Sequence, residues 1–346
     1  MEPDRPADGQ PPIADYGFLS DCRSAALVDR NGSVDWWCVP RFDSPSVLGR
    51  LLDPQAGHWT LRPVGEFTTE RAYVGDTLVL RTVFRTESGV VSVTDALALE
   101  QGARGHDLGL RSPHLLLRRV EGMTGSVAMR SELAPRMEYG RTEPHLEVTD
   151  DGARARGGPA TLTLTSSVPV SLSGGAVVSS FVVAAGDTID LRLAYSATFA
   201  AGRPGEEGAQ PTLEDTITAW ESWSALHTTY DGAFPDQVRR SSLVLQGLTY
   251  APSGAIIAAA TTSLPELMGG DLNFDYRYST RATDLPAGHV EAVRVVPPTP
   301  SPSHPDLAGR HVRAVPGMHP HRPSGPGGPH CPGWQDVWAS ADAGAR

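Results

Sequence analysis

The chain has 346 residues, 40% of them apolar, and a formal net charge of -11. That length supports one large or two ordinary domains, each with a real core. The acidic balance argues against nucleic acid as a partner, because like charges repel, and no apolar run approaches the roughly 18–20 residues that a membrane-spanning helix needs.

Residues 1–12 are polar and Pro-rich and read as a flexible N-terminus without a secretory signal. Residues 13–201 read as β. Ser24 to Val28 and Val34 to Trp37 are strand-like and flank Asn31-Gly32, a strong hairpin signal because both residues tolerate positive φ. Further strands are expected at Thr77 to Arg85, Val90 to Leu99, His114 to Val120, Ser126 to Leu133, Ala160 to Leu172, Ala176 to Val183 and Thr188 to Tyr195. Many short strands with frequent turns point to a β-sandwich. Trp36 and Trp37 are neighbours on one strand, so alternation sends one into the sandwich core and leaves the other for an interface.

Two helices follow. Thr212 is placed to cap Leu213 to His227, with Glu214 and Asp215 in the first turn and Ile217, Trp220, Trp223 and Ala225 on one broad face. Pro235 suits the first turn of a helix to Tyr250, with Val238, Ser242, Leu245 and Leu248 at approximate i, i+4, i+7 spacing. From Thr280 the sequence changes character: this segment holds 12 of the 30 Pro and 6 of the 11 His. It cannot bury enough apolar surface to offset its ordering entropy, so residues 280–346 are expected to be disordered. His311, His319, His321 and His330 lack the spacing of a metal site. Cys22, Cys38 and Cys331 form an odd, sparse set, read as free thiols of a cytoplasmic protein, with a Cys22–Cys38 bridge as the alternative.

Several stretches are too idiosyncratic for composition to explain. Ile13-Ala14-Asp15-Tyr16-Gly17-Phe18-Leu19-Ser20-Asp21 is followed by Gly32-Ser33-Val34-Asp35-Trp36-Trp37-Cys38 and Pro40-Arg41-Phe42-Asp43-Ser44-Pro45. A second block has Tyr250-Ala251-Pro252-Ser253-Gly254, Thr262-Ser263-Leu264-Pro265-Glu266 and Asn273-Phe274-Asp275-Tyr276-Arg277-Tyr278. Together these resemble the amino-terminal part of bacterial glycoside hydrolase family 15, the glucoamylase and trehalase-like group, over about residues 13–279. The resemblance implies a mainly β chain: a β-sandwich, then a linker helix and the first helices of a truncated (α/α)6 barrel over 202–279. It also implies inverting hydrolysis of an α-glucoside by two glutamates, with no cofactor or metal.

In the family the Asp-Tyr-Arg-Tyr segment is normally followed by Trp-Leu-Arg-Asp-Ala, whose Arg and Asp hold sugar hydroxyls. Here those two positions are Ala282 and Thr283, and nothing beyond resembles the family. Such a switch is what a reading-frame change after Ser279 produces. Tyr276 aligns with a tyrosine of the family's sugar pocket. Asp275, Arg277 and Tyr278 join it as vestigial substrate-binding candidates, although an ion pair between Asp275 and Arg277 is the simpler reading. No catalytic residue is assigned: Glu66, Glu70, Glu87, Glu100, Glu121, Glu214 and Glu266 sit in no acid or base motif and are expected on the surface. The expected function is an inactive fragment of the hydrolase, with an α-glucoside as the ancestral substrate. The alternatives are a carbohydrate-binding or assembly module and an enzyme with unfamiliar catalytic residues.

Overall fold

The computed structural model describes residues 11–198, 210–227, 230–262, 275 and 277. The tail from residue 280 lies outside them, as do Tyr276, Tyr278, Glu266 and Cys331. The chain is mainly β. Its strands are β1 (Gly17–Ser20), β2 (Ala25–Val28), β3 (Ser33–Cys38), β4 (Ser46–Leu48), β5 (His58–Pro63), β6 (Thr68–Tyr73), β7 (Leu80–Thr86) and β8 (Gly89–Leu97). They continue with β9 (Leu115–Ala134), β10 (His145–Thr149), β11 (Gly152–Gly157), β12 (Ala160–Ser166), β13 (Ser171–Ser173), β14 (Ala176–Ala184) and β15 (Thr188–Ala197). Two helices follow, α1 (Leu213–Ser224) and α2 (Pro235–Gly247).

Two antiparallel sheets share β9. Its first half pairs with β8 and β15, and its second half with β5 and β14. Around these halves run β6-β7-β8-β9-β15-β12-β11-β10 on one side and β1-β2-β3-β5-β9-β14-β13 on the other. The expected break between Val120 and Ser126 is therefore not a break. Gly122 and Gly125 let the strand pass: a Cβ on Gly122 would stand 1.9 Å from the Ala184 carbonyl oxygen, and Gly125 has φ +66°. The expected strand over Ala160 to Leu172, by contrast, splits into β12 and β13 around Pro169.

The sheets face each other across one large core, to which Trp37, Trp59, Leu61, Met129 and Leu133 come from one sheet and Phe84, Val93, Leu116, Leu162 and Leu193 from the other. Arg118, fully buried, spans this core. It donates to Asp95 (2.8 Å) and to the carbonyls of Trp59 (2.7 Å) and Gly32 (2.8 Å), and lies over the Trp59 ring. A second core lies between the outer face of β8 and β9 and the helices, with Leu99, Leu115, Leu117, Trp220, Trp223 and Leu243.

The turn between β2 and β3 forms at Asn31-Gly32, where Gly32 has φ +77° and Asp29 accepts from the Ser33 amide. Thr212 caps α1 in a capping box with Asp215, each side chain bonding the other's backbone amide. Trp220 and Trp223 are buried as the spacing required, but Ala225 is exposed, because the helix has by then tightened into a 3-10 turn. Helix α2 ends at Gly247 rather than Tyr250, where the chain becomes extended and pairs Thr249–Tyr250 with Ala255–Ile256. Its buried line is Leu243 and Gly247, one position away from the expected face. A Cβ at Gly247 would stand 2.5 Å from Leu78 Cδ1, so a residue without a side chain lets the helix approach this closely.

Candidate functional site

The outer face of β3 carries the candidate site. Register slips by one residue between the β2–β3 pairs Leu27↔Trp36 and Val28↔Val34, leaving Asp35 as the extra residue of a bulge. The bulge resets the alternation, so Val34 and Trp37 both face the large core. Trp36 and Cys38 point the other way, into a small cluster with Leu51, Tyr16 and Tyr139. Both tryptophans are fully buried, in different places. Asp35 is itself held by Tyr16 Oη (2.9 Å), Ser33 Oγ (2.6 Å) and Arg50 Nε (3.0 Å).

The chain segment after α2 closes over this face. Trp36 Nε1 donates to the Ala260 carbonyl at 3.0 Å. The Phe42 ring meets Tyr250 edge-on, and the Arg41 guanidinium, paired with Asp43, lies over the same Tyr250.

Arg277 then enters the pocket between the β3–β4 loop and Tyr139, with its side chain 3% exposed. Its Nε donates to Asp275 Oδ1 (3.0 Å). Nη1 donates to the carbonyls of Phe42 (3.1 Å) and Ser44 (2.9 Å) and touches Cys38 Sγ (3.5 Å). Nη2 donates to Tyr139 Oη (2.6 Å) and Asp275 Oδ2 (2.7 Å). A guanidinium has five N–H donors, and all five are engaged. Burial alone would disfavour the Arg277 charge, but the hydrogen bond to the Asp275 carboxylate and its negative charge outweigh that, and the guanidinium pKa stands above its ordinary value. Burial pushes both the Cys38 thiol and the Tyr139 phenol up to about 12, against the pull of Arg277, so both stay neutral around it.

Asp275 and Arg277 are thus brought together, as the simpler reading held. What the residue pattern did not disclose is the receptor: Cys38, Phe42, Ser44 and Tyr139. The only hint was the unusual Pro40-Arg41-Phe42-Asp43-Ser44 run, since a loop of such defined chemistry has something to hold. The carboxylates Glu66, Glu70, Glu87 and Glu214 are exposed as expected. Glu100 and Glu121 are half-buried, with Glu100 Oε1 accepting from the Arg111 amide. Cys22 and Cys38 are both free and buried, and no bridge joins them.

Residues 7–174, which span β1 through β13 and include the whole receptor for Arg277, match the protein family described as trehalase-like, N-terminal. This sandwich carries a trehalase-like N-terminal domain. The chain is 38% identical to a trehalase of Mycolicibacterium smegmatis over 295 residues, which covers 78% of this chain and 43% of that protein. It is 36% identical to a trehalase of Mycobacterium tuberculosis, over 78% of this chain and 42% of the other. Trehalase 1 of Sulfolobus acidocaldarius is 34% identical, over 76% and 42%. The chain therefore spans less than half the length of these relatives. The similarity also reaches well past the trehalase-like N-terminal match, into the part that carries α1 and α2.

Proposed function

We propose that this chain is the front part of an inverting α-glucoside hydrolase of family 15, of the trehalase kind, and that by itself it hydrolyses no glycoside. The observation that carries the first half is the 38% identity to a trehalase over 78% of this chain. The second half rests on chemistry. Inverting hydrolysis needs a proton donor at the leaving oxygen and a base for water, about 6.5–9.5 Å apart around one pocket. The two sugar-holding positions are Ala282 and Thr283 here, and no family acid or base motif follows them. In this reading residues 13–201 are the sandwich, 202–279 the linker helix and the beginning of the helical barrel, and 280–346 an out-of-frame tail.

The sandwich then has a defined task. Arg277 has no donor left for a sugar hydroxyl, so it acts as the anchor of the Asp275–Arg277 segment. Tyr276 and Tyr278 remain the substrate-facing candidates of the full-length ancestor.

Incubation of the purified chain with trehalose, maltose or starch should release no glucose above a buffer blank. Restoring the frame after Ser279 should produce activity, provided the downstream gene encodes the remaining barrel. Turnover by the chain as it stands, abolished by mutating one of its own glutamates, would overturn the proposal. Tight trehalose binding without turnover would favour a carbohydrate-binding module instead.

A further inference from the structure

The outer face of β5 and β9 carries a second feature, separate from the Arg277 anchor. Trp59 and Leu61 point into the large core, so alternation turns His58, Thr60 and Arg62 outward. On β9, Arg130 and Glu132 share that outer face, in direct register: Thr60 opposite Glu132, and Arg62 opposite Arg130. Like charges placed directly across an antiparallel ladder destabilise it. Arg130 is balanced by Glu132 at 3.0 Å, and His58 Nε2 approaches the same carboxylate at 3.5 Å. Arg62 has no acidic partner among the described residues. Arg50 reaches the same place from the turn after β4, with Asp35 behind it.

These groups line a concavity of about 540 Å³, which falls in the size range of small-molecule sites. Its side wall is Phe67, held edge-on against Phe84 with ring centroids 5.3 Å apart. A cationic concavity on a chain of net charge -11 runs against the overall field. Guanidinium forks fit carboxylate and phosphate oxygens bidentately. A bare inorganic ion would also meet Glu132. A ligand with hydroxyls beside its charge can instead donate to Glu132 while its anionic end meets the arginines, and Phe67 can pack against its carbon skeleton.

We propose that this concavity binds a hexose bearing one oxyanionic group, a carboxylate or a phosphate, with Arg62 and Arg130 on the anion and Glu132 on the hydroxyls. The proposal does not depend on whether the chain hydrolyses a glycoside.

The test is calorimetric titration of the full chain at low salt with glucuronate, glucose 6-phosphate, neutral glucose and sodium sulfate. One of the two sugar anions should bind with about millimolar affinity or better, and the tighter of the two identifies the group. Arg62→Gln and Arg130→Gln should each weaken it at least about tenfold. Both side chains are solvent-exposed, so circular dichroism should show an unchanged fold, and Arg62→Lys should lose less than Arg62→Gln. The proposal fails if neither sugar anion binds, if sulfate or neutral glucose binds equally well, or if the arginine variants bind like the parent.

Discussion

Arg277 and Arg118 show two ways of burying a guanidinium, and each yields a test. Arg277 is held by acceptors from the β3–β4 loop, by Tyr139 and by Asp275. Arg277→Met removes five hydrogen bonds and leaves two carbonyls and a carboxylate without their donor. We expect Cys38, fully buried in the parent, to become reactive toward a thiol reagent, at least about tenfold faster by peptide-resolved mass spectrometry, which corresponds to a local opening easier by about 1.4 kcal/mol. Arg277→Lys should not rescue this, because a single ammonium cannot reproduce a planar fork. Unchanged Cys38 labelling in both variants would mean that the anchor does not hold the segment. Arg118 sits wholly inside the sandwich core against Asp95. Replacing it alone by Met strands a buried carboxylate and should cost about 3–5 kcal/mol in urea unfolding. Replacing both partners with apolar residues should recover most of that loss.

At the scale of elements, the bulge at Asp35 and the cap of α1 decide how layers meet. The bulge turns Trp37 into the large core and Trp36 toward the segment after α2. It makes β3 a wall between two different interiors. Helix α1 closes the second core with Trp220 and Trp223, and begins at a reciprocal Thr212–Asp215 box. Thr212→Ala removes a cap and should cost about 1 kcal/mol, read as a lower urea midpoint with an unchanged slope. Thr212→Ser should retain most of the stability, since its hydroxyl can still accept from the Asp215 amide. Thr216, one turn on, is a further element contact: its Oγ1 accepts from the Leu99 amide at 3.2 Å, joining helix to sheet.

For the whole molecule, histidines set the response to acid. Burial holds His58, His114 and His227 below the ordinary imidazole value of 6.5, with Arg50, Arg23 and His106 adding to the effect in turn. Asp35 and Glu132 near His58, and Asp21 near His114, oppose it without reversing it. As pH falls through 6.5, the unfolded chain therefore takes up protons that the folded chain resists, and stability declines. Asp29, raised by burial and by the neighbouring Asp35, acts with the opposite sign. Urea midpoints should fall between pH 7.5 and pH 5.5, and His114→Gln should flatten that fall. A midpoint that is constant or rises over this interval would contradict the assignment of these half-buried imidazoles as neutral.

Short apolar runs punctuated by Gly, Asn and Pro were sufficient by themselves to indicate a mainly β chain, because the period of a half-buried strand is local. The same holds for the Asn31-Gly32 turn and for the start of α1, where the capping residues are three positions apart. Strands β1, β4, β5, β6, β10 and β11 escaped that reading. β6, Thr-Thr-Glu-Arg-Ala-Tyr, has no fully buried residue and exists because β7 offers it a ladder. Likewise, only the tertiary structure decided that β9 serves two sheets, since its glycines look like a turn until Ala184 is placed beside them. Arg277 is the clearest case. The sequence placed Asp275 beside it, two residues away. Its acceptors in the β3–β4 loop lie more than 230 positions earlier, and Tyr139 lies 138 positions earlier. No local pattern links such groups; folding brings them together, and burial then requires that every donor find an acceptor.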